Sequence, residues 1–282
     1  MRLLMSVMAL ALALCGPAAV VAQIVPPVAA SRVAALSDLL LIDRIVAIMR
    51  EEGLIAGREM GRDMFPDRAP AGWEAVVSLI YDPADMRRRF DAAFEASLEG
   101  SLHLAEIERF FASALGQTVL SLEVAARLAL LDPVAEEAAK RALAEMQQAV
   151  DPRLTALAGF VDTNNLIESN VMAALNSNLA FFQGLAEGAA LQDMVPEDQI
   201  LADVWAQEPQ IRAEMTDWLM PYLALAYRPL DDADLAAYQT FSETPAGQAI
   251  NTALFSAFDA LFTAISRDLG RAAARQMQGQ EL

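Results

Sequence analysis

Apolar positions recur at steps of three and four along most of the chain. Leu39, Ile42, Val46 and Met49 fall on one face of a helix, and Met86, Phe90, Phe94 and Leu98 do the same at steps of four. From about Ser31 onward the pattern continues almost without interruption. Three Asp-Pro pairs, Asp82-Pro83, Asp132-Pro133 and Asp151-Pro152, mark helix starts. Asp accepts hydrogen bonds from the free amides of a first turn, and Pro lacks the amide that would go unpaired there. Thr244-Pro245 follows the same grammar. Alternating β-branched residues and Asn-Gly turns are lacking, so the expected fold class is all-α.

One stretch occurs twice. His103 to Gln117 and Asp234 to Gln248 each read as an amphipathic helix, a capped break and the start of another helix. An ungapped slide of 131 positions superposes Leu104 on Leu235, Phe110 on Phe241, Gly116 on Gly247 and Gln117 on Gln248. The same slide brings Gly53 onto Gly184, Gly57 onto Gly188 and Met146 onto Met277. Apolar character also agrees at Leu36 with Ile167 and Leu40 with Val171. This predicts two tandem, structurally similar helical units, residues 31–150 and 151–282, an internal duplication at an offset of 131 residues. Repeats of that length are those of a duplicated domain rather than a solenoid.

The repeated residues have local reasons. Leu235, Tyr238 and Phe241, like Leu104, Ile107 and Phe110, are spaced as core knobs. Ser113 and Thr244 are placed to cap the following helix, with Gly116 and Gly247 in its first turn where the preceding helix must pass close by. Gly53, Gly57 and Gly61, and likewise Gly184 and Gly188, each cost about 1 kcal/mol against alanine within a helix. Glycines four apart share a face, so a neighbouring helix is expected to cross there too closely for side chains. Arg58, Glu59 and Arg62, interleaved with the first row, exclude a membrane-dimer reading of that spacing.

The pattern Asp-Leu-x-x-Tyr-x-x-Phe-x-x-Thr-Pro-x-Gly-Gln at Asp234 to Gln248 resembles the signature of the bacterial family called domain of unknown function 2059. The first copy keeps Phe110, Phe111, Ser113 and Gly116 but has Ala114 in place of proline, and the second has Ser242 in place of the second aromatic. The resemblance covers about fifteen residues in each copy. It implies an exported helical protein and carries over no catalytic residue.

Composition changes the picture in two ways. With 282 residues, 55% of them hydrophobic, the chain has material for one large or two modest cores. A net charge of −18 repels nucleic acid and anionic headgroups, so no nucleic-acid partner is expected. Residues 1–22 read as a signal peptide, with Arg2, an apolar run from Leu3 to Val21 and the small-residue end Val20-Val21-Ala22. Leu14 before Cys15 departs from a lipobox, which carries a small residue there. The expected address is periplasmic, with cleavage near Ala22, an extended arm over residues 23–30 and no cysteine once Cys15 is removed. No later stretch looks apolar for long enough to span, so no transmembrane segment is expected in the mature chain.

Candidate chemistry is sparse. His103 is the one histidine and Lys140 the one lysine, which argues against two-histidine zinc motifs and phosphate loops. Glu51-Glu52, Glu136-Glu137 and Asp231-Asp232 offer carboxylates, but adjacent residues on a helix point apart. Asn165, Ser169 and Asn176 could line a polar seam of the second unit and hold a small ligand. No residue is assigned as catalytic, cofactor-binding or metal-ligating. The leading expectation is a non-catalytic accessory protein acting through contacts with other envelope proteins. The alternative is a small-molecule or lipid carrier with Met60, Met64 and Met86 in its walls, followed by a carboxylate-dependent hydrolase.

Overall fold

The structure, a computed structural model, describes residues 27–65, 72–188 and 196–279. All regular structure among them is α-helical. The expected signal peptide and the arm up to Pro26 lie outside the described residues. Residues 27–30, expected as extended, instead open the first helix, α1 (Pro27–Leu39). A proline is tolerated in a first turn, where its missing amide has no partner to lose.

The chain then runs through α2 (Ile42–Met64), α3 (Trp73–Ile80), α4 (Pro83–Leu98), α5 (Leu104–Phe111), α6 (Ala114–Ala129) and α7 (Pro133–Gln148). It continues through α8 (Arg153–Thr163), α9 (Leu166–Glu187), α10 (Glu197–Trp205), α11 (Glu208–Tyr227), α12 (Asp232–Glu243) and α13 (Pro245–Met277). The Asp-Pro grammar holds: Asp82 Oδ1 accepts from the amide of Asp85 at 2.9 Å, and Asp132 Oδ1 from Val134 at 2.9 Å. At Asp151 the carboxylate accepts from the amide of Arg153 at 2.9 Å.

The glycine rows have two different neighbours. On α2, Gly61, Gly57 and Gly53 receive Trp73 and Val77 of α3 and Tyr81 just past its end, which recur every four residues. A Cβ on Gly61 would lie 2.7 Å from the Trp73 ring. Trp73 Nε1 donates to Gly57 O at 2.7 Å, and Arg50 donates to the carbonyls of Ser78 and Tyr81, tying the two helices together. Here a ridge of large side chains fills a groove of glycines. On α9, by contrast, Gly184 lies against the backbone of α13, where a Cβ would come within 3.0 Å of Arg271 N. Gly270 of α13 faces Gly184 in turn, at 3.0 Å from a Cβ on Gly270 to the Gly184 Cα. So Gly53 and Gly184, matched by the slide, do not share surroundings.

Other local geometries do match in pairs. Ser113 Oγ accepts from Gly116 N at 3.0 Å, and Thr244 Oγ1 from Gly247 N at 3.0 Å. Gln117 Nε2 donates to Phe111 O at 2.7 Å and to Leu39 O at 3.2 Å. Gln248 Nε2 donates to Ser242 O at 2.7 Å and to Thr163 O at 3.3 Å. The turns between α1 and α2 and between α8 and α9 each contain one left-handed residue, Leu41 (φ 59°) and Asn165 (φ 49°). Phe110 stacks on Phe241 with centroids 3.7 Å apart and rings within 2° of parallel. The paired glutamines are 131 residues apart, whereas Leu41 and Asn165 are 124 apart.

α13 bears on the expectation that no stretch is apolar for long enough to span. By length and composition it could cross a bilayer, with a mean hydropathy of 1.3 over its most apolar window. Asn251, Asp259 and Arg267, scattered along it, break up the run in the sequence. Within the fold, 61% of that window is buried. α13 is the central helix: it packs along α9 and against α4, where Phe90 meets Phe258 at 4.7 Å. α11 lies in turn against α6 and α7, which bend by 117° at the break before Pro133.

Candidate functional site

α6 starts at the Ser113 cap and buries Val119, Leu120, Val124 and also two charged residues, Glu123 and Arg127. The Arg127 guanidinium pairs in two-pronged fashion with Glu52 of α2, Nε to Oε1 at 3.0 Å and Nη2 to Oε2 at 2.8 Å. Both partners are more than nine-tenths buried, a position that charged side chains tolerate only when paired.

Glu123 is held differently. The Tyr227 hydroxyl donates to Glu123 Oε1 at 2.6 Å and the Tyr238 hydroxyl to the same oxygen at 3.2 Å. The Tyr222 hydroxyl reaches the Glu123 backbone carbonyl at 3.4 Å. Burial pushes the Glu123 carboxyl up to about 7, against the downward pull of the hydrogen bonds from Tyr227 and Tyr238. Burial, reinforced by the neighbouring Glu123, raises all three tyrosines well above the ordinary phenol range.

These groups open onto an internal pocket of about 60 Å³. Its walls come from both ends of the chain: Ile42 of α2, Phe111 of α5, Phe160 of α8, Leu166 of α9, Leu219 of α11 and Leu254 of α13. Among the described residues, five of those lining it are aromatic, and each lining residue is at least nine-tenths buried. Among the described residues the polar lining consists of Glu123, the tyrosine hydroxyls and Asn170, with no basic side chain. Asn170 Nδ2 donates to Leu166 O at 2.7 Å, one turn back, while its Oδ1 is buried with no hydrogen-bond partner among the described residues. A buried amide oxygen left unpaired costs about 1–3 kcal/mol, which a donor entering the pocket would recover.

The residues singled out from the sequence are dispersed. Asn165 forms the left-handed turn, Ser169 Oγ is buried without a partner among the described residues, and Asn176 is exposed and donates to Asp259 at 3.0 Å. They form no common seam; of the polar positions on α9, Asn170 is the one that lines the pocket. His103 sits half-exposed before α5 without capping it. Met60, Met64 and Met86 are absent from the pocket walls. The adjacent carboxylates serve elsewhere: Glu52 pairs with Arg127, Glu136 and Glu137 with Lys140, and Asp231 caps α12 by accepting from Asp234 N at 2.8 Å. Among the described residues no cluster of three or more His, Cys, Asp or Glu is placed to hold a metal ion.

Sequence reasoning missed Glu123, although a signal was present. Val119, Glu123 and Arg127 recur at steps of four on a buried face, so two charges occupy apolar positions of the helical repeat. Comparison with family models, with curated proteins and with solved structures gives no match.

Proposed function

We propose that this chain is a non-catalytic binding protein that holds a small molecule in the pocket beside Glu123. Of the readings open from the sequence, this is the carrier. The observation that carries it is the unpartnered Asn170 Oδ1, buried in the wall of the same apolar pocket as the Glu123 carboxyl. The pocket's 60 Å³ suits a ligand of a few heavy atoms and is far too small for an acyl chain, so the lipid variant is set aside. A two-carboxylate hydrolase finds one acid among the described residues of this lining where it needs two.

The periplasm is the proposed address, supported by Arg2 and the apolar run that follows it. Kinship with the domain of unknown function 2059 family is proposed on the signature residues alone. A duplicated origin is proposed as well. Its support is the matched caps, glutamine bridges and left-handed turns, and Phe110 stacked on its counterpart Phe241.

Protein NMR with labelled Ile and Leu methyls tests the binding reading, using ethanol as a small neutral probe. Saturable shifts at Ile42, Ile45, Leu219 and Leu223 are expected, and a folded Leu219→Trp variant should lose them. A folded parent whose lining methyls respond to neither ethanol nor ethylammonium would refute the reading.

A further inference from the structure

The pocket's chemistry narrows the class of ligand. Its two strong hydrogen-bonding groups, Glu123 once ionised and Asn170 Oδ1, are acceptors, so the complementary ligand is a donor able to draw the proton from Glu123. Among the described residues no basic side chain lines the pocket to receive an anion. The walls are aromatic near the acid: Phe160, Tyr227 and Tyr238 have centroids 5.0–6.0 Å apart, and ring faces attract cations. The net charge of −18 draws cations toward the molecule as a whole.

We infer that the pocket takes a small aliphatic ammonium ion, an apolar body of two to four heavy atoms whose N–H groups are shared between Glu123 and Asn170. This rests on the binding reading above. The titratable and charged groups around the acid are Tyr222 and Tyr227 on α11, Tyr238 on α12 and, on its own helix, Arg127, whose charge is matched by Glu52 of α2. The three hydroxyls are neutral and donate to Glu123, and the Glu52 carboxylate is taken up by Arg127, which leaves Glu123 as the ligand's counter-ion. On binding, the neutral carboxyl gives its proton to solvent and the resulting carboxylate accepts from the ammonium. Below pH 7 each ligand bound therefore releases up to one proton.

The experiment compares ethylammonium with ethanol, which has the same shape, and with propionate, by methyl NMR titration and by calorimetry at pH 6 in buffers of different ionisation enthalpy. With three heavy atoms, ethylammonium reaches a Kd on the order of 0.5 mM at best. It is expected to bind at least tenfold more tightly than ethanol, with proton release, while propionate does not bind. Glu123→Gln should abolish the proton release and the tenfold preference. Should that variant fold poorly, the parent decides: the proton released per ethylammonium bound should shrink as pH is raised from about 6 to about 8, and release that stays constant over that range would overturn the assignment. Equal affinity for ethanol and ethylammonium would overturn the ammonium assignment while leaving the binding reading intact. Silence of the lining methyls toward all three probes would overturn both.

Discussion

Glu123 is a carboxyl whose folded environment favours the neutral form. Its pKa rises from 4.5 to about 7 on folding, so between those values the unfolded chain holds fewer protons at this site than the folded one. Stability from this group is therefore full below pH 4.5 and is lost as pH rises through 7. The difference is on the order of 3 kcal/mol. The gap in melting temperature between the parent and Glu123→Gln should thus change between pH 5 and 8, moving against the parent as pH rises. A pH-independent gap would contradict the assignment. Arg127 answers to a different rule. Arg127→Met strands the buried Glu52 and should cost on the order of 3–5 kcal/mol in denaturant unfolding, and Glu52→Leu in the same chain should recover part of that. The sequence marks both α6 charges as anomalies, since they sit in an apolar register. It does not name their partners, because Glu52 lies 75 residues from Arg127, and the tyrosines on Glu123 come from α11 and α12.

At the level of the helices, the starts were the most legible feature. Asp82, Asp132, Ser113 and Thr244 cap where their local chemistry says they should, because a cap depends only on the next three residues. The demand for glycine was legible too, but its cause was not. Gly53, Gly57 and Gly61 admit side chains of α3, whereas Gly184 and Gly270 bring two backbones together, and a repeat of glycines looks the same in either case. A Cβ on Gly247 would lie 2.7 Å from the Cα of Ser242. Gly247→Leu should therefore destabilise the protein by about 2–4 kcal/mol without altering the pocket lining. A variant that melts with the parent would remove the close-approach account. Gln248→Leu strips a donor from the carbonyls of Ser242 and Thr163 and should cost about 1–2 kcal/mol in the same assay.

Across the whole molecule, the all-α class was plain in the apolar periodicity, and the pocket was not. Its walls join residues from Leu40 to Leu254, a convergence set by how the helices cross rather than by any one stretch. The slide of 131 residues aligned α5 and α6 with α12 and α13, yet the turns at Leu41 and Asn165 stand 124 apart. Seven residues are close to two turns of helix, so a shift of that size returns the apolar face to the same side. Leu36 accordingly matches Ile167 in apolar character, whereas Gly53 and Gly184 have different surroundings.

The crossing of α4 onto α13, and of α11 onto α6 and α7, has a practical outcome. Each half of the chain supplies the cover for the other half's apolar helices, and the link between them at Val150 is exposed. Chains ending at Val150 and beginning at Asp151, made separately, should stay largely unstructured alone and regain helical content and a shared melting transition when mixed. The peptide bond at that seam would then act as a tether, holding two complementary strangers at high local concentration.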